Sequence, residues 1–406
     1  MNKITKHWIL EANATKKSQT RKVIDEIITM YEKALNHGRR AKERIELPRN
    51  IIPCEELYIP IDAEAVRRSG MMIPDEYMHD MPEYMTIDIS DKSALYRHEL
   101  VMLDMLANAN WERPIYMSMT VGEDNYPKVL TKFFVHEGLA YRITPFDWSE
   151  LGYDTGQGDR PVDIDKFYTN VMERFKWGGV KEHKDYYADE TIRRMISTHR
   201  NLVAQLAKEM LTDGNETDDR IIALLEKIRT EFPSDIVPYD ALRDNTMSIA
   251  SIYNIIRKVQ NEYKKENSVL YLGDATLQLL TDRVSEISST VLKDEYEHLR
   301  WYNTIDAKDH NDILIYHRLS LLGEAWKLLE ETGKKPGITR EEIVRVLTEL
   351  LGTEVSCLKN TKDKSDGGIK KELIGSIYYL LQEFNPTTKE MQVIDRILDR
   401  YIKTAR

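Results

Sequence analysis

Aromatic and arginine side chains gather around two predicted strands, where they could bind a carbohydrate or a peptide. Aromatic faces stack on sugar rings and apolar groups, and guanidinium groups make paired hydrogen bonds to planar acceptors. The alternative, which we favour, is that the rings belong to the core and the arginines hold a carboxylate, Glu112 or Glu137, or a helix end. The candidate binding residues of this group are Trp111, Arg113, Tyr116, Tyr141 and Arg142.

Two acidic patterns have the spacing of metal ligands. Asp163 and Asp165 form the D-x-D pattern that holds a divalent cation in some sugar-nucleotide enzymes. Acidic residues also cap helices, because they accept hydrogen bonds from free N–H groups and face the positive end of the dipole. Glu76–His79 and Glu295–His298 have the E-x-x-H spacing, but a di-metal centre also needs two more carboxylates. We therefore predict that the aspartates cap the helix that follows, and we predict no metal ion and no cofactor.

Compact catalytic motifs are absent from the sequence. It has no H-E-x-x-H zinc motif, no G-x-S-x-G nucleophile turn, no P-loop and no G-x-G-x-x-G phosphate-binding turn. We therefore predict no catalytic residue in this chain alone. A soluble carbohydrate-active enzyme stays open as an alternative, because two of the 68 acidic residues would suffice if they flanked a cleft roughly 5–10 Å apart.

Length and charge exclude several classes of protein. At 406 residues, the chain exceeds the roughly 250–300 residues at which one core stops growing, so we expect at least two domains. A net charge of −10 argues against a nucleic-acid partner, whose phosphates need clustered Lys and Arg. The sequence contains no apolar run of about 20 residues, and its first residues lack the apolar core of a signal peptide.

Residues 46–150 have the pattern of a mixed α+β domain. Apolar and polar residues alternate over Ile115–Val121, which is typical of a half-buried strand. The glycine-containing segment Ser149–Pro161 predicts the linker that ends this domain. The other predicted elements are strands over Leu57–Ile61, Thr86–Ile89 and Leu139–Ile143, and a helix over Ala94–Asn108.

Helical periodicity dominates the remainder of the chain. We predict an N-terminal helix within residues 1–45, a linker and a helix over 151–184, and an all-α, TPR-like array of helical hairpins over 185–406. The later helices of this array are predicted over Ser248–Lys265, Ala275–Tyr302, Asp312–Thr332, Arg340–Leu351, Lys370–Phe384 and Thr388–Lys403.

Three short motifs occur along the first half of the chain. They are W-x-R-P-I-Y at Trp111–Tyr116, E-G-L-A-Y-R at Glu137–Arg142 and F-K-W-G-G at Phe175–Gly179. Over residues 50–240, their order and separations resemble the extracytoplasmic C-terminal region of a bacterial membrane-protein family. That family is described as protein O-mannosyltransferase-like, within the C-type glycosyltransferase superfamily.

The resemblance implies a location at the periplasmic face of the cytoplasmic membrane, behind an N-terminal bundle of transmembrane helices. Glycosyltransferases of this class use an acidic residue on a loop near the start of that bundle, with a lipid-linked sugar as donor. This sequence contains neither the bundle nor the loop, so none of the family's catalytic residues can be assigned to it. The chain would reach the membrane only through that missing region.

We therefore expect an accessory region of a membrane glycosyltransferase-like protein, which positions an acceptor protein or docks a partner. The expected partners are a protein or peptide acceptor, or a glycan. A free-standing helical-repeat scaffold unrelated to sugar transfer is the alternative. We expect the array, from about residue 185 to the C-terminus, to be the part that binds the partner, because stacked hairpins form grooves that take peptides. In its first hairpin, the candidate binding residues are Arg194 and Lys208. The expected core residues of that hairpin are Met195, Leu202, Leu206 and Met210.

Overall fold

The computed structural model describes residues 56–90, 95–155, 160–183, 185, 187–358 and 366–405. The chain separates into two compact units, of which the first ends at Asn170 and the second begins at Val171. The first unit carries two small sheets and the second a long helical array, which confirms the predicted fold class. The helix predicted within residues 1–45 lies outside the described residues.

The described part of the first unit contains short strands and three α-helices. They are β1 (Glu56–Pro60), α1 (Ala63–Arg68), β2 (Tyr84–Asp88), α2 (Arg97–Asn108), β3 (Tyr116–Ser118), β4 (Phe134–His136), β5 (Ala140–Ile143) and α3 (Ile164–Thr169). β1 and β2 form an antiparallel pair. β3, β5 and β4 form a second antiparallel sheet with β5 in the centre.

Alternation of buried and exposed residues explains the β1–β2 pair. Leu57 and Ile59 of β1 are buried, as are Met85 and Ile87 of β2. Successive side chains of a strand point to opposite faces, so every second residue enters the core of this unit. Both strands lie within two residues of their predicted positions.

The second sheet differs from the prediction in two places. The strand predicted over Ile115–Val121 is limited to the three residues of β3, because the chain turns there: the N–H of Val121 donates to the carbonyl of Ser118 at 3.1 Å. β4 was not predicted, since all of its residues are buried and none alternates with an exposed neighbour. A strand covered on both faces lacks the two-residue period that identifies a half-buried one.

The described part of the second unit is built from α-helices. They are α4 (Glu190–Asp213), α5 (Asp218–Glu231), α6 (Thr246–Lys265), α7 (Asp274–Tyr302), α8 (Asp312–Thr332), α9 (Arg340–Leu358), α10 (Asp366–Glu383) and α11 (Thr388–Ala405). Contacts link helices adjacent in the chain, such as α6 and α7, and helices two apart, such as α4 with α6, α6 with α8 and α8 with α10. This pattern is typical of stacked helical hairpins. Within the described residues, none of these helices is long and apolar enough to cross a bilayer.

Helix α4 shows how its sequence sets both its ends and its buried face. The Asp189 side chain caps the first turn, and Gly214 ends the helix with a left-handed φ of 71°. Met195, which we expected in the core, is 58% exposed, so that assignment was wrong. The buried face includes Arg200 instead, whose guanidinium lies 2.9 Å from the carboxylate of Asp244. The other expected core residues, Leu202, Leu206 and Met210, are buried, so the prediction failed only at one edge of the face.

Candidate functional site

A buried glutamate organises the polar side chains of the first unit. Glu137 follows β4, and its side chain is 1% exposed. Tyr116 Oη donates to Glu137 Oε2 at 2.7 Å, while Lys166 Nζ and Arg142 Nη1 lie 3.0 and 3.7 Å from Oε1. A buried carboxylate is tolerated only when such groups replace its water. We call these four side chains the Glu137 network.

The Glu137 network also reaches the loop after α1. Arg142 Nη2 donates to the carbonyl of Ser69 at 3.0 Å, and Lys166 Nζ donates to the carbonyl of Gly70. Burial, with a contribution from the hydrogen bond to Glu137, raises the pKa of Tyr116 to about 12. Its hydroxyl therefore stays protonated at neutral pH. Since each member is engaged by another protein group, we assign the network a structural role.

The aromatic and arginine candidates from the sequence do not all share one surface: Trp111, Arg113 and Arg142 line one small cavity, but Tyr116 and Tyr141 are not part of its lining. Tyr116 and Arg142 lie opposite each other on β3 and β5 and meet at Glu137. Trp111 is 5% exposed, and its Nε1 donates to the carbonyl of Pro60 at 2.8 Å. The Trp111 ring is thus part of the core of the first unit.

The other two candidates lie in different surroundings. Tyr141 is half-buried and stacks on Phe134, with ring centres 5.6 Å apart. The guanidinium of Arg160 lies 4.7 Å from the centre of the Tyr141 ring, in a cation–π contact. Arg113 is exposed at the start of the segment leading to β3. Tyr141 is therefore already partnered, whereas Arg113 and Tyr116 are the exposed members of this group.

A buried histidine lies next to the Glu137 network. His136 Nε2 donates to the carbonyl of Gly138 at 2.7 Å. The rings of Tyr141 and Phe167 pack against His136, each with ring centres 4.9 Å away. Burial, with a smaller contribution from the charge of Arg160, lowers the pKa of His136 to about 4. The imidazole is therefore neutral at neutral pH, because charging it would require water that the fold excludes.

Asp163 and Glu295, from two of the acidic patterns, make structural contacts, whereas Glu76 and His79 of the third pattern are exposed. Asp163 accepts a hydrogen bond from the backbone N–H of Lys166 at 3.1 Å, which confirms that it caps α3. Glu295 pairs with Arg318 at 2.7 Å in a buried ion pair, whereas His298 is exposed. Among the described residues, no group of three or more His, Cys, Asp or Glu side chains could hold a metal ion.

The residues proposed to bind a partner on α4 are both exposed. Arg194 and Lys208 lie about 21 Å apart along the helix axis. Gln205 is exposed as well. Asn201, by contrast, is bound to the loop before α6: its side chain donates to the carbonyl of Arg243 at 3.1 Å and accepts from the backbone N–H of Asn245 at 2.7 Å. The exposed surface of α4 is thus interrupted at this position.

An open groove of about 1000 Å³ lies between α8 and α10. Asp312 and Lys370 form an ion pair of 2.7 Å near the start of both helices, and Trp326 and Phe384 pack with ring centres 5.1 Å apart near their ends. The start of α8 thus contacts the start of α10, and the end of α8 contacts the end of α10. The two helices therefore run parallel. We call this feature the α8–α10 groove.

Aromatic rings and small residues line the α8–α10 groove. Tyr316 on α8 and Tyr379 on α10 are 50% and 68% exposed. An added Cβ at Gly323 would lie 2.9 Å from a Leu380 methyl group, so this glycine permits the close helix contact. An added Cβ at Gly375 would meet nothing within 4 Å. The small lining residues are Ser320, Gly323, Gly375 and Ser376.

The α8–α10 groove is also acidic. Its lining contains four glutamates and one lysine: Glu324, Glu330, Glu372, Glu383 and Lys327. Glu324 accepts a hydrogen bond from Ser251 of α6 at 3.2 Å, but the other three glutamates form no ion pair with the described residues. At the neighbouring contact between α6 and α8, by contrast, a glutamate does form an ion pair: Lys258 lies 2.7 Å from Glu331.

Sequence reasoning predicted both helices of the groove but not the groove itself. Tyr316 and Tyr379 occupy positions that could equally have been core, because apolar periodicity does not say which face of a buried array stays open. One signal was available: Gly375 lies inside a helix, where glycine is unfavourable and often has a packing or functional reason.

Comparison with known protein families gives one match. Residues 2–164 match the family model described as TMEM260-associated domain 2. This match fits the O-mannosyltransferase-like family region that the sequence resembles, and it ends before the second unit begins. No curated protein matches the chain.

Proposed function

We propose that the chain is an accessory region of a TMEM260-like protein, and that its helical array holds an acceptor protein or another component of the machinery outside the membrane. The match over residues 2–164 supports the accessory role. Stacked helical hairpins support the docking role, because such arrays bind their partners along extended grooves. The α8–α10 groove is the single observation that carries the proposal, since its exposed rings lie on one continuous surface.

In this proposal, the chain transfers no sugar by itself. The most conspicuous acidic residues already have structural partners: Asp163 caps α3, Glu137 is held by its network and Glu295 pairs with Arg318. We expect no turnover when the chain is incubated with lipid-linked or nucleotide sugars and candidate peptides. Turnover that disappears in Asp163→Asn or Asp165→Asn would overturn this part of the proposal.

Photo-cross-linking tests the docking role. A photoreactive phenylalanine analogue replaces Tyr379 in the groove, and in a separate variant it replaces Val269, which is 99% exposed between α6 and α7. We expect discrete cross-linked proteins from position 379 only, and we expect these proteins to carry O-linked hexose. Captured proteins without any glycan would favour the free-standing scaffold. No product from position 379, or the same products from both positions, would contradict docking in the groove.

The extracytoplasmic location is tested in the same cells. An epitope tag inserted at Val269 lies in an exposed loop and should leave the fold intact. We expect protease added to cells with a permeabilised outer envelope, but an intact inner membrane, to remove the tag. A tag that is cleaved only after detergent lysis would contradict the proposed location.

A further inference from the structure

We infer that the α8–α10 groove takes a basic amphipathic helix from the partner, a proposal that rests on the docking function above. Four features of the groove lead to this occupant: its length, its small lining residues, its exposed rings and its charge. Each feature is shared by helix-in-groove recognition, in which an apolar stripe enters a groove and polar residues meet its rim.

The length of the groove fits a helix of roughly three to four turns. Its lining extends from Tyr316 to Glu330 on α8, about 21 Å, and from Glu372 to Glu383 on α10, about 16 Å. Small residues on both helices let the backbone of a third helix approach closely. The space beside Gly375 is open, since an added Cβ would contact nothing within 4 Å.

The exposed rings provide anchors for apolar side chains. Tyr316 and Tyr379 expose large parts of their rings to solvent on the two helices that flank the groove. Trp326 also lines the groove and is half-buried, with its ring packed against Phe384. Tyr and Trp rings are typical anchors of protein interfaces, because they bury a large area at a small cost in side-chain entropy.

The charge of the groove selects a basic partner. Glu330, Glu372 and Glu383 are exposed and form no ion pair with the described residues, and Lys327 is the one cation among the lining residues described. Lys or Arg side chains on the rim of an incoming helix would pair with these carboxylates and could stack on the tyrosine rings. An acidic helix or a nucleic acid would instead be repelled.

Fluorescence anisotropy with the full chain tests the occupant. The probe is a labelled 14-residue peptide of Leu and Lys arranged as an amphipathic helix. One comparison peptide has the same composition in scrambled order, and a second has Glu in place of Lys. We expect at least tenfold tighter binding of the amphipathic Lys peptide than of either comparison. Equal binding of the scrambled peptide would overturn the inference, because it would reveal only attraction to a chain of net charge −10.

Two pairs of variants locate the binding. Gly375→Leu fills the groove, and its control Gly368→Leu adds the same side chain to open space on the same helix, outside the groove. Neither substitution meets a neighbouring atom within 4 Å at Cβ, so both should keep the wild-type melting temperature. We expect Gly375→Leu to weaken peptide binding at least tenfold and Gly368→Leu to leave it unchanged. Equal affinity in both variants would overturn the inference.

The second pair tests charge alone. Glu330→Gln with Glu372→Gln removes two charges from the groove, while Glu349→Gln with Asp399→Asn removes two exposed charges elsewhere. We expect about tenfold weaker binding for the groove pair only, and equal weakening in both pairs would overturn the inference. Cross-linking from position 379 without binding of the Lys peptide would refute the basic helix and leave the docking function standing. Loss of both results would refute both proposals.

Discussion

The two units of the chain handle buried charge in different ways. The first unit concentrates it at Glu137, which receives Tyr116, Arg142 and Lys166 from three separate elements. The second unit distributes charge over several separate groups along its helices. Arg318 pairs with Glu295 between α7 and α8, and farther along the array Glu354 holds both His310 and Lys370. A destabilising substitution should therefore lower the stability of the whole first unit. In the second unit, its effect should stay within the repeats next to it.

The largest expected effect is the loss of Trp111 from the core of the first unit. Trp111→Ala removes a buried ring and a hydrogen bond to Pro60, so we expect the free energy of unfolding to fall by roughly 3–5 kcal/mol. Trp301→Ala is the matched control in the second unit, because Trp301 is largely exposed, and we expect a loss below about 1 kcal/mol. Urea unfolding followed by pulsed hydrogen exchange and mass spectrometry reports each unit through its own peptides.

This experiment also tests the interpretation of Trp111. An unchanged unfolding midpoint for peptides of the first unit would mean that the ring contributes little to the core. The earlier alternative, in which the ring is a platform for a sugar or a peptide, would then regain support.

The second prediction concerns the stability of the first unit at acidic pH. The pKa of His136 is lowered in the folded state to about 4, from an ordinary value of 6.5. The unfolded chain therefore binds a proton between pH 6.5 and 4 that the folded chain does not, and stability falls as the pH is lowered through this range. By linkage, we expect a loss of about 2 kcal/mol from the first unit between pH 7 and pH 5.

His136→Gln separates this effect from other titrations. The variant should be less stable at pH 7, because it disturbs the packing against Tyr141 and Phe167, but its stability should depend less on pH between 7 and 5. The unfolding midpoints of wild type and variant are compared at both pH values, with labelling at one fixed pH. Equal pH dependence in the two proteins would show that His136 does not control the acid response.

The third prediction concerns the second unit at lower pH. Glu390 of α11 pairs with Arg340 of α9 at 2.9 Å and accepts from the backbone N–H of Thr387. The hydrogen bond with Arg340, followed by the one from Thr387, lowers the pKa of Glu390 to about 2. This stabilisation is complete above the ordinary pKa of 4.5 and is lost as the pH falls towards 2.

Because the pair is partly exposed, Glu390→Gln should cost only about 0.5–1 kcal/mol at pH 7. The difference between wild type and variant should shrink at pH 3, when measured on peptides of the second unit. Glu349→Gln, an exposed position on α9, is the control and should have no effect. A loss that is equally large at both pH values would mean that the pair acts through packing and not through charge.

The sequence predicted the second unit better than the first for a physical reason. Helical periodicity is local, so α6, α7 and α8 lie within two residues of their predicted bounds. The Glu137 network is not local, because Tyr116 and Lys166 reach Glu137 from 21 and 29 residues away. The sequence could suggest that arginines near Glu137 hold a carboxylate, but it could not say that a tyrosine and a lysine complete the set.

Contacts between distant residues also limit how well the sequence predicts which surfaces are exposed. Apolar periodicity identified the helices of the array, but it placed Met195 in the core because it ignored that Arg200 is buried with Asp244 as its partner. The α8–α10 groove depends on contacts between helices that are more than 50 residues apart, such as Gly323 with Leu380. Such pairings are set by the stacking of repeats, which no single helix encodes.

The smallest expected effect on stability belongs to the exposed face of α4. Arg194→Glu with Lys208→Glu changes two exposed residues, so we expect an unchanged circular dichroism spectrum and a change in unfolding free energy within about 0.5 kcal/mol. If this face binds an acidic or amide-rich acceptor segment, the double variant should recover less of that partner from an envelope extract. Gly375→Leu provides the comparison within the same unit, because it alters the acidic groove and not α4.

The two variants together decide which surface of the array recognises a partner. Loss of one set of proteins in the α4 variant and of another in the groove variant would mean that the array binds through both faces, each with its own charge preference. Loss only in Gly375→Leu would leave the groove as the docking surface. Equal recovery of every partner by wild type and the α4 variant would mean that Arg194 and Lys208 are merely solvated, as most exposed charges on helices are.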